Sequence, residues 1–132
     1  MVDNPYRPID VELPSSSTGY IYLIFSMKQY QAMHIGAVMN LRKRLRAHNE
    51  GYRTGLGTAN ELRPWVLYAF ISGFDENKEY MEFSYNWIIS RLYQRMQNMK
   101  IEEVVERMKE IVTYANQNHC IKLILTKAGR MI

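Results

Sequence analysis

Arg44 and His48 lie four residues apart, a spacing that puts both side chains on one face of a helix. A guanidinium stays charged at any ordinary pH and grips a phosphate through two parallel donors, so an arginine in such a place suits phosphate chemistry. Arg42, Lys43 and Arg46 crowd the same ten residues. Taken alone they fit either a solvated basic helix face or a face that pairs with the phosphates of a nucleic acid. The wider distribution of charge favours an anionic partner. No Asp or Glu occurs from Leu13 to Asn49, the stretch that also holds Lys28, and the acids collect instead at Asp75 to Glu82 and Glu102 to Glu110. The net charge of +4 is therefore a local positive field centred on one short segment.

The rest of the composition narrows the classes. At 132 residues the chain amounts to one domain, with 47% apolar and 23% charged residues as in ordinary globular proteins. No apolar run is long enough to span a bilayer, and Met1 to Pro14 is polar and proline-containing rather than basic then apolar, so neither a membrane span nor a secretory leader is expected. Cys120 is the single cysteine and has no disulfide partner. Together with His34, His48 and His119 it matches no zinc-ligand spacing. An intracellular location, nucleus or cytoplasm, fits this cysteine usage.

Those residues need elements to place them. Residues 1–18 carry three prolines and a serine triplet and read as an irregular lead-in to a single domain over 19–132. Tyr20 to Phe25, aromatic and β-branched, predicts a strand, and Met33 to Val38 a second that pairs with it as a hairpin across a loop at Ser26 to Gln31. Asn40 is a suitable N-cap for a helix over Leu41 to Asn49, with Gly51 as its stop. A glycine-containing loop at 51–60 precedes a third strand, Val66 to Ile71, opened by Pro64-Trp65 and ended by Gly73. Helical periodicity follows from Glu76 to about Met96 and again from Ile101 to Ala115, where Val104, Val105, Met108, Ile111 and Val112 mark the inward face. Cys120 to Leu125 closes the set as a final strand. The order is β-β-α-β-α-α-β, an α+β arrangement of a small mixed or antiparallel sheet flanked by helices.

Three of these segments together resemble the GIY-YIG endonuclease family, and within it the Slx-type structure-specific endonucleases that cut branched DNA. Tyr20-Ile21-Tyr22-Leu23-Ile24 is similar to the first signature strand. His34-Ile35-Gly36 followed by Asn40 to Asn49 is similar to the second strand and its helix. Arg63-Pro64-Trp65, Gly73-Phe74, Phe83, Tyr85 and Trp87 complete the match, which runs from about Gly19 to Trp87 without gaps inside a segment. The resemblance implies the GIY-YIG nuclease fold and assigns roles. Tyr22, on its residue type one more aromatic of a half-buried strand, corresponds to the tyrosine beside the attacking water. Arg44 corresponds to the arginine that steadies the scissile phosphate. His48, as a lone histidine a structural residue, falls on the family's His-Asn pair and is placed to polarise a base or a leaving group. Arg42, Lys43, Arg46 and Arg53 are then expected along the nucleic-acid backbone.

The departures from the family pattern are as informative. Tyr20 replaces the first signature's glycine, a bulky side chain where the backbone needs room. His34 replaces the second signature's tyrosine and retains the capacity to shuttle protons. Val38 stands where the branch commonly has a hydroxyl. Ser84 stands where the family carries its metal-binding glutamate, and a neutral hydroxyl is a poor ligand for Mg²⁺. Glu82 lies about 200° around a helix from it and Glu79 points elsewhere, so neither substitutes. The expectation is a nucleic-acid-binding GIY-YIG domain, DNA more than RNA, impaired in catalysis and without a resident cofactor. Two alternatives stand beside it. One is an active endonuclease using Mg²⁺ or Mn²⁺ held by a carboxylate from another element. The other is a protein-interaction module, since the resemblance implies a scaffold subunit as partner. Trp65, Phe74, Phe83 and Trp87 are assigned to the core.

Overall fold

The computed structural model describes Leu13, residues 19–29, 32–50, 62–74, 93–115 and 121–126. Among these residues four strands form one sheet in the order β2-β1-β3-β4: β1 Tyr20–Ser26, β2 Met33–Val38, β3 Trp65–Ser72 and β4 Lys122–Leu125. Every neighbouring pair runs antiparallel. Helix α1, Leu41–Glu50, follows β2; a 3-10 turn, Tyr93–Asn98, leads into α2, Ile101–Ala115. The sheet is thus wholly antiparallel, the second of the two forms expected from sequence. The sequence-predicted helix from Glu76 lies outside the described residues except for its end. There 93–98 winds as a 3-10 helix, a tighter coil common at helix termini, and the Met99 amide donates to the Met96 carbonyl to close it.

The strands form where aromatic and branched residues concentrate, and β1 and β3 are the two inner ones. All seven residues of β1 are buried, not half of them, because both faces of the sheet are covered. Ile21, Leu23 and Phe25 point to one side with Val66, Tyr68, Ala69 and Ile71 of β3, and meet Ile101, Val104, Val105, Met108 and Val112 of α2. Tyr20, Tyr22 and Ile24 point to the other with Trp65, Leu67 and Phe70, and meet Leu41 and Leu45 of α1 and the partly buried Leu13. Each large apolar side chain so buried contributes about 1.5–3 kcal/mol.

Tyr68 and Ala69 break strict alternation by facing the same side. The register of β1 against β3 shifts between Leu23 and Ile24 to accommodate them, the signature of a β-bulge. Thr126, fully buried, serves the bulge: its hydroxyl donates to the carbonyls of Leu67 (2.6 Å) and Tyr68 (3.1 Å), and its amide donates to Tyr68 as well. The bulge turns Leu67 and Trp65 toward α1.

Strand ends differ from sequence in ways that have local causes. Ser26, expected in a loop, ends β1 opposite Trp65. Its hydroxyl donates to the Leu62 carbonyl and accepts from the amides of Lys28 and Gln29, which is how a polar residue tolerates burial there. That pairing also draws Trp65 into β3. β4 begins at Lys122, two residues after Cys120. Helix α2 matches its expected span, with Glu102, Glu103, Glu106 and Glu110 exposed.

Candidate functional site

The site grows from the hairpin of β1 and β2. Tyr22 pairs across the strands with Gly36, and Ile24 with His34. Side chains of alternate residues share a face, so Tyr22 and His34 emerge on the side where α1 packs. The Tyr22 ring lies over Gly36, where a Cβ would stand 2.6 Å from the phenol oxygen and 2.8 Å from Cζ. Both contacts are closer than real Cβ atoms approach, so any side chain at 36 forces the tyrosine out of place.

Helix α1 then brings its residues down onto that ring. Asn40 starts it as expected, its Oδ1 accepting from the Lys43 amide at 3.1 Å. Leu41, Leu45 and His48 fill the buried face. His48 is 2% exposed, and its Nε2 shares a hydrogen bond of 2.9 Å with the Tyr22 hydroxyl. The His34 ring stands 5.2 Å from that of His48 and 6.1 Å from that of Tyr22, centre to centre, so three rings form one cluster. Arg44 lies partly buried one turn before His48.

The electrostatics follow from this crowding. Burial holds His34 far below the usual imidazole range, at about 4, and the Arg44 guanidinium pushes the same way. His48 is also held at about 4, by burial first, then by repulsion from His34 and from Arg44. Both imidazoles are therefore neutral at pH 7, and each presents one ring nitrogen able to accept a proton. Arg44 supplies the fixed positive charge. The cluster combines a phenol, two neutral bases and a guanidinium, a set able to accept a proton from a hydroxyl or water beside an anion held by Arg44.

Arg42, Lys43 and Arg46 occupy the exposed side of α1, away from the ring cluster. They extend the positive surface outward. Arg42 also reaches back electrostatically to Tyr20, whose phenol burial pushes up while Arg42 opposes the shift. The Tyr20 ring stands edge-on to Phe70 at 6.1 Å and joins the core. Val38 packs partly buried against the same cluster.

Four sequence-predicted site residues, Tyr22, His34, Arg44 and His48, are thus brought together. Ser84, Glu79, Glu82, Arg53, Phe83 and Trp87 lie outside the described residues. Trp65 and Phe74 are core, as expected. Among the described residues no group of three His, Cys, Asp or Glu side chains is placed to hold a metal ion. The described groups around Tyr22 include two neutral imidazoles and a cation, and these do not attract Mg²⁺, which requires hard anionic oxygens.

Two residues of the site were not assigned roles from sequence. Gly36 was visible only as part of a motif; its function needs the cross-strand register. Asn49, the residue after His48, turns its carboxamide to β3: Nδ2 donates to the Trp65 carbonyl at 2.9 Å, and the Trp65 amide donates to Oδ1 at 2.5 Å. Arg63 in turn donates to the Asn49 carbonyl at 3.1 Å. An asparagine near a helix end gives no sequence signal for a contact sixteen residues away.

The GIY-YIG catalytic domain matches residues 18–98, more than half of the chain. A structure-specific endonuclease subunit slx1 of Talaromyces stipitatus is 32% identical over 68 residues, covering 50% of this chain and 18% of that protein. The corresponding subunit of Ajellomyces capsulatus is 33% identical over 69 residues, covering 50% and 16%. That of Botryotinia fuckeliana is 30% identical over 82 residues, covering 61% and 19%. The chain spans less than a fifth of the length of these relatives.

Proposed function

The chain belongs to the GIY-YIG family, in its Slx-type branch, and on that premise we propose that it is a nucleic-acid-binding domain that hydrolyses its ligand poorly or not at all. The observation that carries the binding half is the position of Arg44. Its charge acts on His34 and on His48, the partner of Tyr22, while Arg42, Lys43 and Arg46 are exposed on the same helix. Among the described residues, the imidazoles near Arg44 carry no negative charge to repel a phosphate, and neighbouring phosphates meet the outer cations. Such contacts release counterions and dominate affinity for nucleic acid. The half that concerns hydrolysis rests on sequence alone: Ser84 stands at the family's carboxylate position. We assign no resident metal, and Mg²⁺ or Mn²⁺ has a part only if the domain is active.

DNA is the favoured ligand, by extension from relatives named as structure-specific endonucleases. Those relatives are named as subunits, which extends to a protein scaffold as a second partner here. An intracellular location accords with a nucleic-acid ligand. No helix among the described residues is long and apolar enough to cross a membrane.

One observation favours a second reading, an active enzyme. His34 and His48 are both neutral and both adjoin Tyr22, so a proton acceptor is at hand. A single series separates the readings. Labelled branched DNA, duplex DNA and RNA are titrated at two salt concentrations, and the same tubes are assayed for cleavage with Mg²⁺ or Mn²⁺. The proposal expects salt-sensitive binding and no metal-dependent product. Cleavage that Arg44→Ala abolishes establishes the active reading instead. Salt-insensitive binding points to a protein-interaction module.

A further inference from the structure

We infer that Asn49 is a positioning residue, which locks the end of α1 onto β3 and thereby fixes His48 against Tyr22. The carboxamide of Asn49 donates to the carbonyl and accepts from the amide of one residue, Trp65. This is the pair of bonds an antiparallel strand partner makes, so the side chain acts as a one-residue extension of the sheet. Trp65 is the first residue of β3 and is held from its other side by pairing with Ser26 of β1, the strand that carries Tyr22. The Arg63 guanidinium adds a bond to the Asn49 carbonyl, so side chain and main chain are both tied down.

The need for such a tie follows from how α1 is mounted. Its start is fixed by the short link from β2 through the Asn40 cap. Its last turn carries His48, whose imidazole must stay within 2.9 Å of a hydroxyl on another element. The final turn of a helix lacks onward hydrogen bonds and frays readily. Asn49 supplies the missing anchor one residue past the group that has to be placed. An outer residue that orients the inner one is the usual way such precision is achieved.

The inference takes its purpose from the proposed function, but its test uses the free protein, so the two can fail separately. The protonation of His48 is read at pH 6 from imidazole nitrogen and carbon shifts by NMR. The wild type, with Tyr22, His34 and Arg44 around a buried ring, keeps His48 roughly 1% protonated there, given its value of about 4. In Asn49→Ala the helix end loosens and water reaches the ring. Its protonated fraction rises to roughly half as its value returns toward that of free imidazole. Val112→Ala, which cuts the core on the opposite side of the sheet, serves as a control for general destabilisation. It is expected to lower the melting temperature and leave His48 unprotonated. Should Asn49→Ala not fold, Asn49→Ser, which keeps one hydrogen-bonding group, is read in the same way. The inference is overturned if the Asn49 variant loses stability while His48 stays neutral at pH 6, or if Val112→Ala protonates His48 as much.

Discussion

The two sides of the sheet are built for different purposes. On the α2 side, Ile21, Leu23, Val66 and Ile71 meet Ile101, Val104, Met108 and Val112, nearly all aliphatic, with Tyr68 edge-on to Phe25. The outer face of α2 carries exposed ion pairs, Arg107–Glu110 and Lys109–Glu106, of the kind that add little to stability. On the α1 side, Tyr20, Tyr22, Trp65 and Phe70 pack with Leu41 and Leu45 of the helix. The same side holds His48 buried, His34 beside it and Arg44 at the margin. One side gathers apolar area; the other keeps titratable groups out of water next to a fixed charge. Both derive from the same strands, because alternate residues of β1 feed opposite faces.

The comparison predicts which changes should act on stability and which on the site. The largest loss is expected on the α2 side. Ile101→Ala empties a fully buried position and should cost about 2–5 kcal/mol in urea unfolding, while the protein that remains folded binds nucleic acid as before. A change in affinity of the folded fraction would show the sides to be coupled.

Acid should act on the α1 side. His34 and His48 are lowered from 6.5 in the unfolded chain to about 4 in the folded one, so the unfolded state binds more protons between those values. The stability these neutral rings permit is fully present above pH 6.5 and is lost as pH falls toward 4, at most on the order of 3 kcal/mol for each ring. His34→Phe should flatten the dependence, measured as unfolding free energy at pH 7 and pH 4.5. An unchanged slope would remove His34 from the account.

Gly36→Ala should follow, at about 1–3 kcal/mol, since the new Cβ collides with the Tyr22 ring and the strand cannot retreat. Its distinguishing mark is a lost Tyr22–His48 bond, seen as a changed His48 nitrogen shift at neutral pH. Retention of that shift would place the ring elsewhere than over Gly36.

Much of this was legible in the chain. The hairpin, helix α1 with its Asn40 cap, and the amphipathic α2 follow from local periodicity and capping chemistry, which act over a few residues. The cluster of Tyr22, His34, Arg44 and His48 was legible through family resemblance, since neither Tyr22 nor His48 announces itself by residue type. What the sequence concealed is non-local. The bulge at Tyr68 depends on Thr126, fifty-eight residues away. The burial of β1 on both sides depends on two helices arriving from opposite directions. The tie from Asn49 to Trp65 depends on where α1 ends relative to β3.

The central claim is that the α1 side of the sheet presents Arg44 to a phosphate. Its most direct test is the affinity of Arg44→Ala for labelled DNA, measured against the wild type across a salt series. The account predicts about a tenfold or greater loss at low salt, a salt slope reduced by about 1, and a melting temperature close to that of the wild type. An affinity and slope equal to those of the wild type would contradict it.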